Sequence, residues 1–314
     1  MKLDTNACGV FAIAVTPFAP DGAVDQASVD AMTDFYLGCG VTGLTVLGIM
    51  GEAPKLDVAE SLALVRQVVR RAPRIPVVAG VSAPGFAAMR ALALGAMDAG
   101  AAGVMIAPAP NLRTDDQIVA YFGQAVEAIG ADVPFVIQDY PQGVSVVMAP
   151  AVIRRIVMDN PSCVMLKHED WPGLDKISSL RAMETGGTLR RVPILTGNGG
   201  LFLDFELARG ADGAMTGYAF PDMLVDVVRR ARAGDRAGAH DLFDAHLPLI
   251  RYEQQIGLGL AVRKYVLMRR GAIFSDAQRK PASRLSDAAR AEVDYLLARL
   301  ARHDARAALG HRAA

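Results

Sequence analysis

A (β/α)8 TIM barrel of the α/β class, followed by a C-terminal helical appendage, is the fold this sequence predicts. Three observations predict it. Eight short apolar runs, rich in β-branched residues, alternate with amphipathic stretches of helical length. The runs recur at intervals of roughly 25–30 residues, and eight such units suit a closed barrel better than an open doubly wound sheet. The chain has 314 residues, enough for one barrel plus an addition.

The strands are expected over residues 10–18, 43–48, 76–82, 103–109, 134–141, 163–169, 193–197 and 213–217. Their apolar character suits parallel strands covered on both faces. Helical stretches include 24–39, 57–71, 85–99, 115–129 and 149–158. Asp57 is placed to cap the second of these. Thr114, followed by Asp115 and Asp116, puts an acceptor and negative charge at the positive end of another. Gly100-Ala101-Ala102-Gly103 and Gly210-Ala211-Asp212-Gly213 read as helix exits leading into the next strand. Beyond Pro221 the strand signals stop, and apolar periodicity marks helices over 223–233, 240–249, 255–268 and 287–300. Residues 1–221 are therefore expected to form the barrel and residues 222–314 a helical extension packed on it or on a neighbouring subunit. The absence of a low-complexity linker argues against independent domain motion, and Gly310–Ala314 should fray.

Lys plus Arg and Asp plus Glu both number 33, so no charge surplus points to nucleic acid or an anionic membrane. A small anionic substrate remains compatible, since it needs only one local site. No apolar run reaches the roughly 18 residues that span a bilayer. The N-terminus runs straight into a strand, so a cleaved signal is not expected. Three cysteines without CxxC spacing suit a reducing cytoplasm, and five histidines without ligand spacing predict no metal site.

Active sites of such barrels lie at the C-terminal ends of the strands. Lys167 stands there on strand six, after Val164-Met165-Leu166, as an ammonium at the end of an apolar run. A lone buried ammonium tends to escape its cost by losing its proton, and a neutral lysine attacks carbonyls. Pairing with Glu169 or Asp139 is the structural alternative. Alternation along the strand puts Glu169 on the side of Lys167 and His168 on the other. Gly48-Ile49-Met50-Gly51-Glu52 after strand two is a turn whose backbone N–H groups can hold a carboxylate, or an ordinary loop. Gly197-Asn198-Gly199-Gly200 after strand seven reads as a tight turn or as a contact for a substrate oxygen. Trp171, the only tryptophan, reads as a packing residue.

Taken in order, Val15-Thr16-Pro17-Phe18, Gly48-x-x-Gly51-Glu52, Gln138-Asp139-Tyr140-Pro141, Leu166-Lys167 and the run Gly210 to Gly217 resemble the dihydrodipicolinate synthase / N-acetylneuraminate lyase family, over nearly the whole chain. The resemblance implies class I aldolase chemistry without a cofactor. Lys167 would form a Schiff base with a small-molecule 2-oxo acid, and the turn at Ile49 and Met50 would hold its carboxylate. Thr16, Gly48, Gly51, Glu52, Asn198, Thr216 and Gly217 are further expected substrate contacts. Gln138, Tyr140 and Glu169 are the expected catalytic neighbours of Lys167. The family's habit also implies a homotetramer, a dimer of dimers.

The departures from the family pattern bear on the reaction. Ile49 and Met50 stand where dihydrodipicolinate-forming members carry two hydroxyl residues, and Gln138 stands where they carry tyrosine. Pro108-Ala109-Pro110-Asn111 lacks the stacked tyrosine expected after strand four, and Gln142-Gly143-Val144 lacks the expected arginine. The Gln-Asp-x-Pro motif, Gly213-Ala214-Met215-Thr216-Gly217 and Leu247-Pro248-Leu249-Ile250 look more like members that process 2-keto-3-deoxy sugar acids. A dehydratase or aldolase for such acids is the expectation. A catalytically weak 2-oxo acid binding or sensor protein is the alternative, and a metal-dependent barrel aldolase a third reading.

Overall fold

Each apolar run is just long enough to cross a barrel wall once, and the eight of them do so. The computed structural model describes residues 1–309, so the expected fraying at Gly310–Ala314 lies outside the described residues. The strands are β1 (Gly9–Ile13), β2 (Gly43–Val46), β3 (Val77–Gly80), β4 (Gly103–Ile106), β5 (Phe135–Asp139), β6 (Cys163–His168), β7 (Ile194–Thr196) and β8 (Gly213–Thr216). All pair in parallel in chain order, and β8 pairs back onto β1 to close the barrel.

The helices are α1 (Gln26–Gly38), α2 (Val58–Arg71), α3 (Phe86–Asp98), α4 (Asp115–Ile129), the single turn α5 (Pro141–Val144), α6 (Pro150–Asp159), α7 (Leu174–Thr185), α8 (Leu203–Ala208), α9 (Pro221–Arg232), α10 (Arg236–Glu253), α11 (Gly259–Arg269) and α12 (Asp287–Leu300). The expected caps form. The Asp57 carboxylate accepts from Glu60 N at 2.7 Å, and Thr114 Oγ1 accepts from Gln117 N at 3.3 Å, each closing a capping box. The two Gly-Ala turns leave their helices through left-handed glycines, Gly100 at φ +94° and Gly210 at φ +98°.

Alternation along the strands divides the core in two. Phe11, Ile13, Val78, Met105, Val136, Met165, Leu195 and Met215 fill the barrel, and the opposite strand faces pack beneath the helices. Lys167 shares the inward parity of Met165, and Gln138 that of Val136. Among the described residues, no helix is long and apolar enough to cross a membrane.

Three expectations are corrected. All eight strands stop short of their expected C-terminal ends, because residues such as Val15, Thr16 and Phe18 are buried without pairing in the barrel ladder. Helix α9 packs on β1 and β8 as the eighth barrel helix, so the change from barrel to appendage falls after residue 232, not at 221. The helix expected from Gln255 begins at Gly259, because Gly257 turns left-handed at φ +81° and residues 254–258 form a loop.

Candidate active site

Strand register alone brings the first two site residues together. Gln138 on β5 lies directly across from Lys167 on β6. Both point inward, and both end on one carboxylate oxygen. Lys167 Nζ is 2.7 Å from Glu169 Oε1, and Gln138 Nε2 donates to the same oxygen at 2.8 Å. The other oxygen of Glu169 receives Asn198 N at 3.3 Å, while Asn198 Nδ2 donates to Glu169 O at 2.8 Å. A side chain at Gly197 would put its Cβ 2.3 Å from Glu169 Cγ, so only glycine lets this carboxylate reach its position. Glu169 is thus the hub that orients Lys167.

These residues stand at the C-terminal mouth of the barrel, in a cavity of about 600 Å³. Of the expected site residues, Lys167, Glu169, Gln138, Tyr140, Ile49, Met50, Asn198, Thr216 and Gly217 line it. Ile49 and Met50 open a short helical turn, so their N–H groups have no acceptor within it. The Tyr140 hydroxyl is pushed up from its ordinary pKa by burial, and further by the nearby Glu169. It is therefore a neutral phenol at neutral pH, able to donate a hydrogen bond into the cavity.

Thr16, Gly48, Gly51 and Glu52 were expected as substrate contacts and do not line the cavity. They build the turn from behind. Thr16 Oγ1 donates to Gly51 O at 2.6 Å. Glu52, left-handed at φ +54°, turns its carboxylate away to Lys264 at 2.6 Å and Lys55 at 2.7 Å. The side chain after a tight turn goes where that backbone sends it, here toward the appendage.

On the far side of β6, His168 is fully buried near Asp139 at 3.6 Å. Asp139 pairs with Lys176 at 2.9 Å and not with Lys167. Trp171 is half exposed and packs edge-on against Phe202. Gln142 does not reach the cavity. Among the described residues, no three His, Cys, Asp or Glu side chains converge as a metal-binding group.

Part of the wall comes from the appendage, which no motif in the sequence marks. Gln254, Gln255, Gln278 and Ser283 line the rim, with Glu253 and Arg263 behind them. The available signal was Arg263-Lys264, two charges inside the apolar stretch of α11.

A profile described as the dihydrodipicolinate synthetase family matches residues 6–300. The chain belongs to this family. It is a lyase of that family, as the motifs led us to expect. The chain is 29% identical over 297 residues to the L-2-keto-3-deoxyarabonate dehydratase of Azospirillum brasilense, covering 93% of this chain and 94% of the relative. It is 35% identical over 248 residues to the 4-hydroxy-tetrahydrodipicolinate synthase of Sorangium cellulosum (strain So ce56), covering 77% and 78%. The crystal structure of dihydrodipicolinate synthase from Rhodopseudomonas palustris superposes with a TM-score of 0.94 at 66% identity, over 95% of this chain and 99% of that one.

Proposed function

We propose that Lys167 forms a Schiff base with the C2 carbonyl of a 2-oxo acid, and that the enzyme acts as a dehydratase or aldolase on 2-keto-3-deoxy sugar acids. The observation that carries this reading is the shared Glu169 oxygen, with Gln138 rather than a tyrosine beside the lysine. Glu169, in contact with Nζ, takes the proton that Lys167 must lose before its amine attacks. The amine adds to C2, Glu169 returns the proton to the C2 hydroxyl, and water leaves, giving an iminium. The freed Glu169 carboxylate takes a C3 proton to give the enamine, and the C4 hydroxyl, protonated by Tyr140, departs as a second water. Hydrolysis of the conjugated iminium then consumes one water and frees Lys167, and the proton held by Glu169 returns to Tyr140, so one water is lost overall. In the aldolase variant the C3–C4 bond breaks instead, with the electron pair taken up by the same iminium.

Synthase chemistry asks more of the mouth of the barrel. It needs hydroxyls that pass protons, and Ile49, Met50, Gln138 and Pro110 pass none. Five carboxamides, Gln138, Asn198, Gln254, Gln255 and Gln278, line the cavity instead and suit a polyhydroxylated chain. The similarity to the Azospirillum dehydratase along nearly its whole length supports the same reading. The names carried by the Rhodopseudomonas and Sorangium proteins favour the synthase. An assay decides between them. Purified protein is given a panel of 2-keto-3-deoxy pentonates and hexonates and, separately, pyruvate with aspartate semialdehyde. Consumption of a sugar acid is the expected result. Robust turnover of the second pair alone refutes the proposal, and an imine with no turnover of either identifies a binding protein.

A further inference from the structure

Arg263 projects from α11 toward the end of β8. It is 2% exposed and lines the cavity that holds Lys167. Its Nε donates to Glu253 Oε1 at 2.5 Å, and Glu253 is itself buried and lines the same cavity. Its Nη1 is buried and has no hydrogen-bond partner among the described residues. A buried donor left without a partner is destabilising, so a retained one calls for an occupant. A buried pair of this kind is also weak evidence of a stabilising role. Gly217 is shaped to admit this group, since a Cβ there would lie 2.3 Å from Nη1. Glycine at the end of β8 thus lets a cation from the appendage reach the barrel mouth.

We propose that Arg263 is the specificity residue of this cavity. Its Nη1 donates to a hydroxyl carried beyond C3 of the bound 2-oxo acid, so the site prefers hydroxylated chains to plain alkyl ones. The inference rests on the imine reading above, in which Lys167 and the turn at Ile49 and Met50 already take the 2-oxo carboxylate end. Glu253 balances the guanidinium charge, so the pair as a whole is neutral and suits a hydroxyl better than a second carboxylate. A hydroxyl can also accept from Arg263 and donate to Glu253, as no alkyl group can.

The test measures borohydride trapping at Lys167 in wild type and R263M. Half-saturating concentrations are determined for a 2-keto-3-deoxypentonate, for 2-oxopentanoate and for 2-oxoglutarate. Saturating pyruvate reports that each protein has a folded, reactive site. Wild type is expected to prefer the hydroxylated acid to 2-oxopentanoate. In R263M that ratio should fall about tenfold to a hundredfold, as for loss of a hydrogen bond to a charged group. Where R263M does not fold, R263K keeps the charge beside Glu253 and removes the Nη1 donor, with the same fall expected. A ratio unchanged in a variant that still traps pyruvate refutes the role of Arg263 alone. Equal weakening for all acids marks a structural residue and refutes it too. A preference for 2-oxoglutarate that collapses instead overturns the hydroxyl assignment. Wild type that traps no pyruvate at Lys167 refutes the imine reading, and the inference falls with it.

Discussion

Lys264 Nζ donates to Glu52 Oε1 at 2.6 Å, joining two buried charges that are 212 residues apart in the chain. The same ammonium donates to Thr16 O and Ala277 O, each at 2.8 Å, so its three protons are all used. Glu52 also accepts from Lys55 and from Arg279 N. Helix α11 therefore holds the turn at Ile49 and Met50 from behind, while its neighbouring residue Arg263 faces the cavity.

Breaking this tie should cost stability and order together. Lys264→Met leaves the Glu52 carboxylate buried with only part of its pairing, a change that typically costs about 3–5 kcal/mol. Urea unfolding should show the loss, and hydrogen exchange should show faster exchange across residues 48–52. Glu52→Gln with Lys264→Met should recover part of the loss, because it removes the buried charge left behind. A single mutant as stable as wild type would show that the pair is incidental.

Glu169 should matter for rate more than for fold. Glu169→Gln keeps the shape but removes the proton acceptor beside Lys167, and general acid–base groups contribute about 10²–10⁴-fold. Turnover of the sugar acid and the rate of pyruvate adduct formation should fall by that order, with the melting temperature little changed. Lys167→Ala should abolish the adduct altogether. An adduct formed at wild-type rate in Glu169→Gln would remove Glu169 from the mechanism.

A pH dependence of stability should trace to Glu206 on α8. Burial pushes its carboxyl up to about 7, against an ordinary value of 4.5. A carboxyl raised in the folded state holds a proton that the unfolded chain has lost. Its contribution therefore favours folding at low pH and is lost as pH rises from about 4.5 through 7. The change amounts to about 3 kcal/mol over that window. Glu206→Gln should flatten the profile there and be the more stable protein at pH 8. Parallel profiles for the two proteins between pH 4.5 and 7.5 would contradict the assignment.

We further propose a homotetramer built as a dimer of dimers, in keeping with the closed symmetric assemblies that dominate such enzymes. Phe274 and Tyr295 in the appendage and Val147 before α6 are large apolar side chains left mostly exposed on the single chain. Light scattering at micromolar concentration should give a mass about four times the 33.2 kDa of one chain. A mass of one chain would count against it.

The barrel was legible because its rules are local. Alternation and capping act within a dozen residues, which is why α4 and α12 fall where the pattern puts them and β6 starts where it does. The pairing of Lys167 with Glu169 was readable for the same reason, since two residues apart on one strand share a face. The loops after β1 and β2 were misread as strand because burial, not ladder pairing, keeps them apolar.

The sequence by itself determined the eight-unit barrel, the lysine at the end of strand six, the carboxylate on its side, and the hydroxyls missing around them. Only the tertiary structure decided which groups face the substrate from elsewhere. It turned Glu52 and Thr16 away to brace the turn and brought Arg263, Gln254 and Gln278 to the barrel mouth. The physical reason is range. Periodicity tells which face of a helix is buried, but a helix packed against a barrel buries its charges against partners set by the whole fold. Arg263 meets Gly217, and Lys264 meets Glu52, only once the chain has closed the barrel and returned across its open end.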